Sequence, residues 1–343
     1  MLNIKRRLNN FTASFRITSK IILTNIKFFI IKVFFPLIEL LNFLFSKSFN
    51  LKLKNFYFNT YYLYHFYKLE ILEAYKIRIK HINTIIELTH SPFIRKGAID
   101  YINTIWFSNL EEILNSNELS AGFANNDFKS PFVLNKKSKN FKLIDSNKNI
   151  IIIGPLFDFS KFNLNDYEII ISNKPIPSKY ARSFKGTIFL VTGPTWPKYH
   201  RREIDKLTKS NMLKIYSTKE CFPKVHCHPA LADFPRYPLG TLMNLQRTLY
   251  FTLHAFEDCN FNVCGYSLYQ TYEIQSAWYK ENSLNLVPSH IYTLANHDYL
   301  LSLSFTKKFF EFNANYIGDT VEICKKEVGY LLENFIENQK NFK

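Results

Sequence analysis

Beyond position 148 the apolar residues of this chain fall into short, nearly unbroken runs that alternate with longer stretches of helical spacing, and turn-forming residues separate the two. The runs Asn149–Ile153, Glu168–Ser172, Thr187–Thr192, Leu213–Ser217 and Asn262–Gly265 predict strands. The stretches between and after them predict helices over Arg201–Ser210, Leu242–Glu257, Leu301–Phe312 and Val321–Asn338. In the second of these, Leu242, Leu245, Leu249, Leu253 and Phe256 share one face. Strands alternating with helices predict an α/β fold of Rossmann type, a mostly parallel sheet flanked by helices, over residues 148–343.

The first 147 residues read differently. In residues 1–50, Lys5, Arg6, Arg7, Arg16 and Lys20 precede an apolar run from Ile21 to Phe45, which suits a membrane-associating segment. Asn25, Lys27, Lys32, Pro36 and Glu39 interrupt the run, so a helix lying in the interface competes with a spanning one. A pair of buried core helices broken at Pro36 is the alternative without a membrane. If the segment is an anchor, its basic flank marks the cytoplasmic side, which predicts the inner face of a cytoplasmic membrane. Residues 51–147 predict a helical extension rich in aromatics up to about Leu114, then a linker with Asn115, Asn117, Asn125, Asn126, Ser130 and Pro131.

Composition changes this picture little. The chain has 343 residues, 47% of them apolar, which is enough to bury a sizeable core. Its formal net charge of +16 favours an anionic partner, although a bias toward Lys, Asn, Ile and Phe from AT-rich coding DNA would raise it without selection for binding. Aromatic stripes at helical spacing are core, so nucleic acid is not expected as a partner. Five cysteines without regular spacing imply no disulfide framework. Cys221, His226, Cys227 and His228, with His254 and Cys259 downstream, lack the paired spacing that closes a tetrahedral zinc site, and no bound metal is expected.

The candidate chemistry sits at strand ends. Ile153-Gly154-Pro155 puts a glycine at the carboxyl end of the first strand, where open α/β sheets bind nucleotides. Neither a G-x-G-x-x-G nor a Walker lysine motif comes after it, which argues against NAD and against a P-loop nucleotide site. Ser172-Asn173-Lys174 brings an amide to the next strand end, within reach of the same crevice.

Together these pieces resemble the bacterial sialyltransferases that decorate surface lipo-oligosaccharides, which share a strand, Gly-Pro, strand, Asn layout; the resemblance spans about Asn149 to Asn315. Arg236-Tyr237-Pro238-Leu239-Gly240 is similar to that family's arginine and glycine with three residues between them, ahead of a long apolar helix. Gly265-Tyr266-Ser267-Leu268-Tyr269 is similar to its strand-end glycine followed by a tyrosine that meets the donor phosphate. His290 and His297 stand where the family carries its catalytic histidine. The chain departs from the family at Ile153 and Leu156, which replace polar neighbours of the Gly-Pro turn, and at Leu239, which stands where a serine is usual.

The resemblance implies a GT-A-like variant of the Rossmann fold and a metal-independent, inverting transfer of sialic acid from CMP-sialic acid to an oligosaccharide or lipo-oligosaccharide acceptor. His297 would be the general base, with His290 as the second candidate, and Tyr269 would stabilise the departing CMP. Gly154, Pro155, Asn173, Arg236, Gly240 and Gly265 would join Tyr269 in holding the donor. The CMP-sugar is a substrate, and no cofactor is expected; no Asp-x-Asp metal motif occurs in the sequence. A transferase for another activated sugar, and an inactive membrane-bound glycan- or nucleotide-binding protein, are the alternatives.

Overall fold

The structure is a computed structural model that describes residues 18–36, 46–106, 128–129, 131–134, 142–145, 147–174, 176–192, 213–217, 225–270 and 297–341. His290, the helix expected over Arg201–Ser210, Cys221, the basic residues before 18 and most of the linker lie outside the described residues.

Nine strands run β1 (Ile144–Asp145), β2 (Asn149–Ile153), β3 (Ile169–Ser172), β4 (Thr187–Thr192), β5 (Leu213–Ser217), β6 (Val225–Cys227), β7 (Phe256–Glu257), β8 (Asn260–Cys264) and β9 (Tyr316–Ile317) among the described residues. Seven of them form one sheet in the order β6-β5-β4-β3-β2-β8-β9, and every neighbouring pair is parallel. β1 and β7 form a separate two-stranded parallel ladder. The chain therefore works outward from β2 to β6, then returns to lay β8 against the other side of β2. That reversal is a topological switch point, and a crevice opens between the carboxyl ends of β2 and β8.

Successive side chains of a strand point to opposite faces, and here both faces are buried. Ile150 and Ile152 join a large cluster with Ile169, Ile171 and Phe189, whereas Ile151 and Ile153 join a smaller one with Ile170, Ile188 and Phe157. This is why the strand runs carry no polar alternation.

Among the described residues the α-helices are α1 (18–36), α2 (Lys47–Tyr67), α3 (Ile71–Leu88), α4 (Pro92–Ile105), α5 (Ser178–Ser183), α6 (Pro229–Ala232), α7 (Asn244–Ala255), α8 (Tyr299–Phe312), α9 (Asp319–Cys324) and α10 (Val328–Asn341). Ser46 and Ser91 cap α2 and α4 by accepting from the amides of Phe49 and Ile94. α2, α3 and α4 pack in sequence, and α4 lies on α8. Packing thus runs across the compositional boundary near residue 147: Tyr62, Tyr75, Tyr101 and Ile102 share one apolar cluster with Leu300, Leu301 and the sheet. The stretch read as linker also contributes to it, because Phe132 is fully buried with its ring 5.1 Å from that of Phe305.

The helix expected over Val321–Asn338 is two helices, α9 and α10. Lys307 of α8 donates from Nζ to the carbonyls of Cys324 (2.9 Å) and Lys326 (3.1 Å), giving partners to backbone groups that a continuous helix would have paired. At the other end of the chain, residues 18–36 are helical, and the residues after Pro36 up to 45 lie outside the described ones. No helix among the described residues is long and apolar enough to cross a membrane.

Candidate functional site

A hollow of about 250 Å³ opens at the switch point. Its floor is built from the turns at three strand ends: Pro155 and Leu156 after β2, Asn173 and Lys174 after β3, and Gly265 to Tyr269 after β8. The first turn of α7, with Met243, forms one wall, and His297, Tyr299, Ser302 and Leu303 form another. Parallel strands deliver their carboxyl ends to one edge, which is how residues more than a hundred positions apart meet here.

Close backbone approach between β2 and β8 demands the two glycines. Gly154 donates its amide to the Cys264 carbonyl at 2.7 Å, and a Cβ on Gly154 would lie 2.2 Å from the Gly265 carbonyl oxygen. Gly265 has φ +79°, and a Cβ there would sit 2.5 Å from the Phe157 amide nitrogen. Its amide donates to Asp319 Oδ1 at 3.0 Å, which ties the turn to α9.

The next turn carries Leu268 and Tyr269, both with positive φ, at +49° and +59°. L-residues adopt this conformation at a cost, so neighbouring bonds must hold it. They do: the Tyr299 hydroxyl donates to the Leu268 carbonyl at 2.9 Å, and Gln270 Nε2 donates to the Tyr299 oxygen and the Leu331 carbonyl. The turn presents Tyr269 to the hollow. Burial pushes the Tyr269 phenol up to about 12, so it stays protonated and able to donate at neutral pH.

Asn173 is a brace in this structure rather than a free reader. Its Nδ2 donates to Thr248 Oγ1 at 2.7 Å and to the Asn244 carbonyl at 3.2 Å, while its Oδ1 accepts from the Tyr266 hydroxyl at 2.6 Å. Tyr266 also lies 3.2 Å from the Ile153 carbonyl, so β2, β3, β8 and the start of α7 are locked together beneath the hollow.

His297 borders the hollow, with its Nδ1 3.1 Å from Thr241 Oγ1. Burial first, and the Arg247 charge second, lower its pKa from the ordinary 6.5, against the pull of the Thr241 and Leu242 backbone. The ring is therefore neutral at neutral pH, the state in which an imidazole accepts a proton. Asp298 comes next in the chain, fully buried; its amide donates to the Thr241 carbonyl at 3.1 Å. Asp298 Oδ1 accepts from Leu301 N (3.0 Å), capping α8, and Oδ2 accepts from the Tyr101 hydroxyl (2.6 Å). Gly240, φ +75°, lies against Asp298: a Cβ there would meet the Asp298 Cβ at 2.7 Å. Gly240 thus shapes the loop that carries Thr241 and does not line the hollow.

Arg236 does not reach the hollow, contrary to the role the resemblance implies. It is exposed on the rim of a separate surface cleft of about 460 Å³ with Phe93, Lys96, Asp233 and Phe234. The cause is local: Tyr237 turns inward, its hydroxyl 3.0 Å from Thr104 Oγ1, and the Arg236 carbonyl rests on Gly97.

The α7 terminus joins the site without having been marked in the sequence. Met243 occupies its N-cap position and supplies no side-chain cap, so the amides of the first turn lack the usual acceptor. Met243, Asn244, Leu245 and Gln246 all border the hollow. Peptide dipoles and unpaired N–H groups at such a terminus favour an anion. Gln246 Oε1 is buried there without a hydrogen-bond partner, while its Nε2 is held by Ser302 and Thr306. The sequence signal for this feature is an absence: no Ser, Thr, Asp or Asn at the residue before the helix.

Among the described residues, no group of three or more His, Cys, Asp or Glu is placed to hold a metal ion. His228 instead caps α6, accepting from the Ala230 amide at 3.3 Å. The hollow can accept a proton at His297 and stabilise negative charge at α7 and Tyr269. No protein family, curated protein or solved structure matches the chain.

Proposed function

We propose that the chain is a glycosyltransferase that uses a CMP-activated sugar, an inverting sialyltransferase acting on a surface lipo-oligosaccharide. The observation that carries this reading is the convergence, in one switch-point hollow, of Pro155, Asn173, Gly265, Tyr269 and His297 with the uncapped start of α7. The hollow, at about 250 Å³, is smaller than the roughly 300–1,000 Å³ of small-molecule sites, so in this reading it takes only the nucleoside monophosphate part of the donor.

In this reading the acceptor hydroxyl attacks the anomeric carbon of the sugar while His297 takes its proton. The bond from that carbon to the phosphate oxygen breaks, and CMP leaves with the electron pair. The charge that gathers on the phosphate is met by the α7 amides and by the Tyr269 hydroxyl. A lipid-linked acceptor would place the work at the cytoplasmic face of the inner membrane. A second reading, a transferase for a different activated sugar, is favoured by Asn173, whose amide is already engaged and leaves base selection to other groups.

CMP release from CMP-sialic acid in the presence of lipo-oligosaccharide tests the proposal. Replacing a general base lowers turnover by about 10²–10⁴-fold, and His297→Ala is expected to do so. Turnover unaltered in that variant removes His297 from the mechanism. Donor binding without turnover toward any acceptor identifies a binding protein instead.

A further inference from the structure

We propose that α1 is an in-plane membrane anchor whose outer face lies in the headgroup region of a bilayer carrying acidic lipids. The helix is apolar on two sides. Its inner face packs on α2: Phe28 stacks on Tyr64 with centroids 3.6 Å apart, Phe35 stacks on Tyr57 at 3.7 Å, and Ile31 is buried beside them. A helix whose only task was to close the core would be polar on its other side.

Instead, Ile22, Ile26, Phe29 and Val33 form the middle of the outer face, and Leu23, Ile30 and Phe34 widen it on one side. These seven side chains are between 49% and 69% exposed. At 3.6 residues per turn they occupy an arc of about 140°. Lys20 and Lys27 lie along one margin of that arc and Lys32 along the other, which is where long cationic side chains reach from an apolar stripe up to phosphate.

An acidic bilayer surface matches this geometry better than a second protein copy, because the cations border the apolar arc on both sides and the whole chain is strongly basic, at +16. Lys27, midway along residues 18–36, would sit near the costly centre of the bilayer if these residues spanned it. In the plane, α1 fixes α2 and, through α3 and α4, the platform that holds Asp298 next to His297. The anchor is independent of whether the hollow turns over a sugar nucleotide.

Co-sedimentation of the full chain with mixed phosphatidylglycerol–phosphatidylcholine vesicles, and with phosphatidylcholine alone, provides the test. Binding is expected to the mixed vesicles and to weaken by about fivefold for each of Lys20, Lys27 and Lys32 changed to Gln. The outer-face variant Ile26→Ser/Phe29→Ser is expected to lose about a hundredfold, with circular dichroism unaltered because neither side chain packs inside. Phe93→Ser on α4, also an exposed aromatic at 73%, is expected to bind as wild type. The proposal is overturned if the chain ignores both kinds of vesicle, or if the double variant binds undiminished. It is equally overturned if the chain dimerises without lipid and the double variant dissolves that dimer, since a second copy then covers the face.

Discussion

Asp298→Ala is the substitution from which the structure expects the largest loss of stability. The carboxylate is wholly buried and performs three tasks. It caps α8 through the Leu301 amide at 3.0 Å, accepts from the Tyr101 hydroxyl at 2.6 Å, and stands 3.8 Å from Nε of Arg78. Arg78 is itself buried, with its guanidinium 3.6 Å above the Tyr62 ring and no hydrogen-bond partner for its Nε. Burial raises the Asp298 pKa, while Arg78, Tyr101 and the Leu301 amide hold it back. Stranding a buried arginine costs about 3–5 kcal/mol, and losing the cap adds about 1 kcal/mol. Against a typical folding margin of about 5–15 kcal/mol, Asp298→Ala should lower the urea midpoint severely. Tyr101→Phe removes the hydrogen bond that this buried carboxyl accepts and leaves that oxygen short of a donor, a loss of about 1–3 kcal/mol. The two residues touch, so the double variant should lose less than the summed singles. Urea titration followed by far-ultraviolet circular dichroism measures all three. A loss under about 1 kcal/mol for Asp298→Ala, or strict additivity with Tyr101→Phe, would refute the claim that this buried pair ties the helical extension to the His297 loop.

Gly154→Ala should disable the hollow, since its Cβ would fall 2.2 Å from the Gly265 carbonyl and the two strand ends must part; loss of nucleotide binding together with a lower melting temperature is the expected pair of results. Asn173→Ala severs the tie between Tyr266 and Thr248; each hydroxyl keeps a carbonyl partner, Ile153 and Asn244, so each lost bond should cost about 0.5–1.5 kcal/mol by thermal unfolding. The pKa of His297 lies below 6.5, so the acid limb of the activity profile should fall below that of an ordinary histidine, and a limb above pH 6.5 would contradict the assignment. Burial holds His254 neutral down to about pH 4. The unfolded chain takes up that proton first, so stability present above about pH 6.5 is lost as pH falls toward 4, by about 1.4 kcal/mol per pH unit; His254→Gln should flatten this slope in urea midpoints measured across that range.

Much of the sheet was legible because buried parallel strands leave an unmixed apolar trace. Asn149–Ile153, Thr187–Thr192 and Leu213–Ser217 match β2, β4 and β5 to the residue. β8 begins two residues before its expected start, because its pairing with β2 extends to Asn260, which the apolar pattern alone does not mark. The split between α9 and α10 was illegible for a different reason: its carbonyls are satisfied by Lys307, a tertiary partner with no local signature. The same distinction governs the site. Pro155, Asn173, Gly265 and Tyr269 border one hollow because a parallel sheet brings all its strand ends to one edge, whereas Gly154 does not line it and gives its amide to Cys264. Arg236 was misplaced because spacing to Gly240 says nothing of which way a side chain turns, and Tyr237 decided it. The engagement of Asn173, and the anchoring of His297 through Asp298 by a tyrosine nearly two hundred residues away, depend on contacts that only folding creates.

Calorimetric titration of the full chain with CMP, beside the same titration of Met243→Trp, addresses the central claim most directly. The indole at position 243 would fill the hollow at the start of α7, so saturable heat with wild type and its loss in the variant are predicted. Equal binding by both proteins, or no saturable heat from wild type, would mean that the switch-point hollow does not receive a nucleotide.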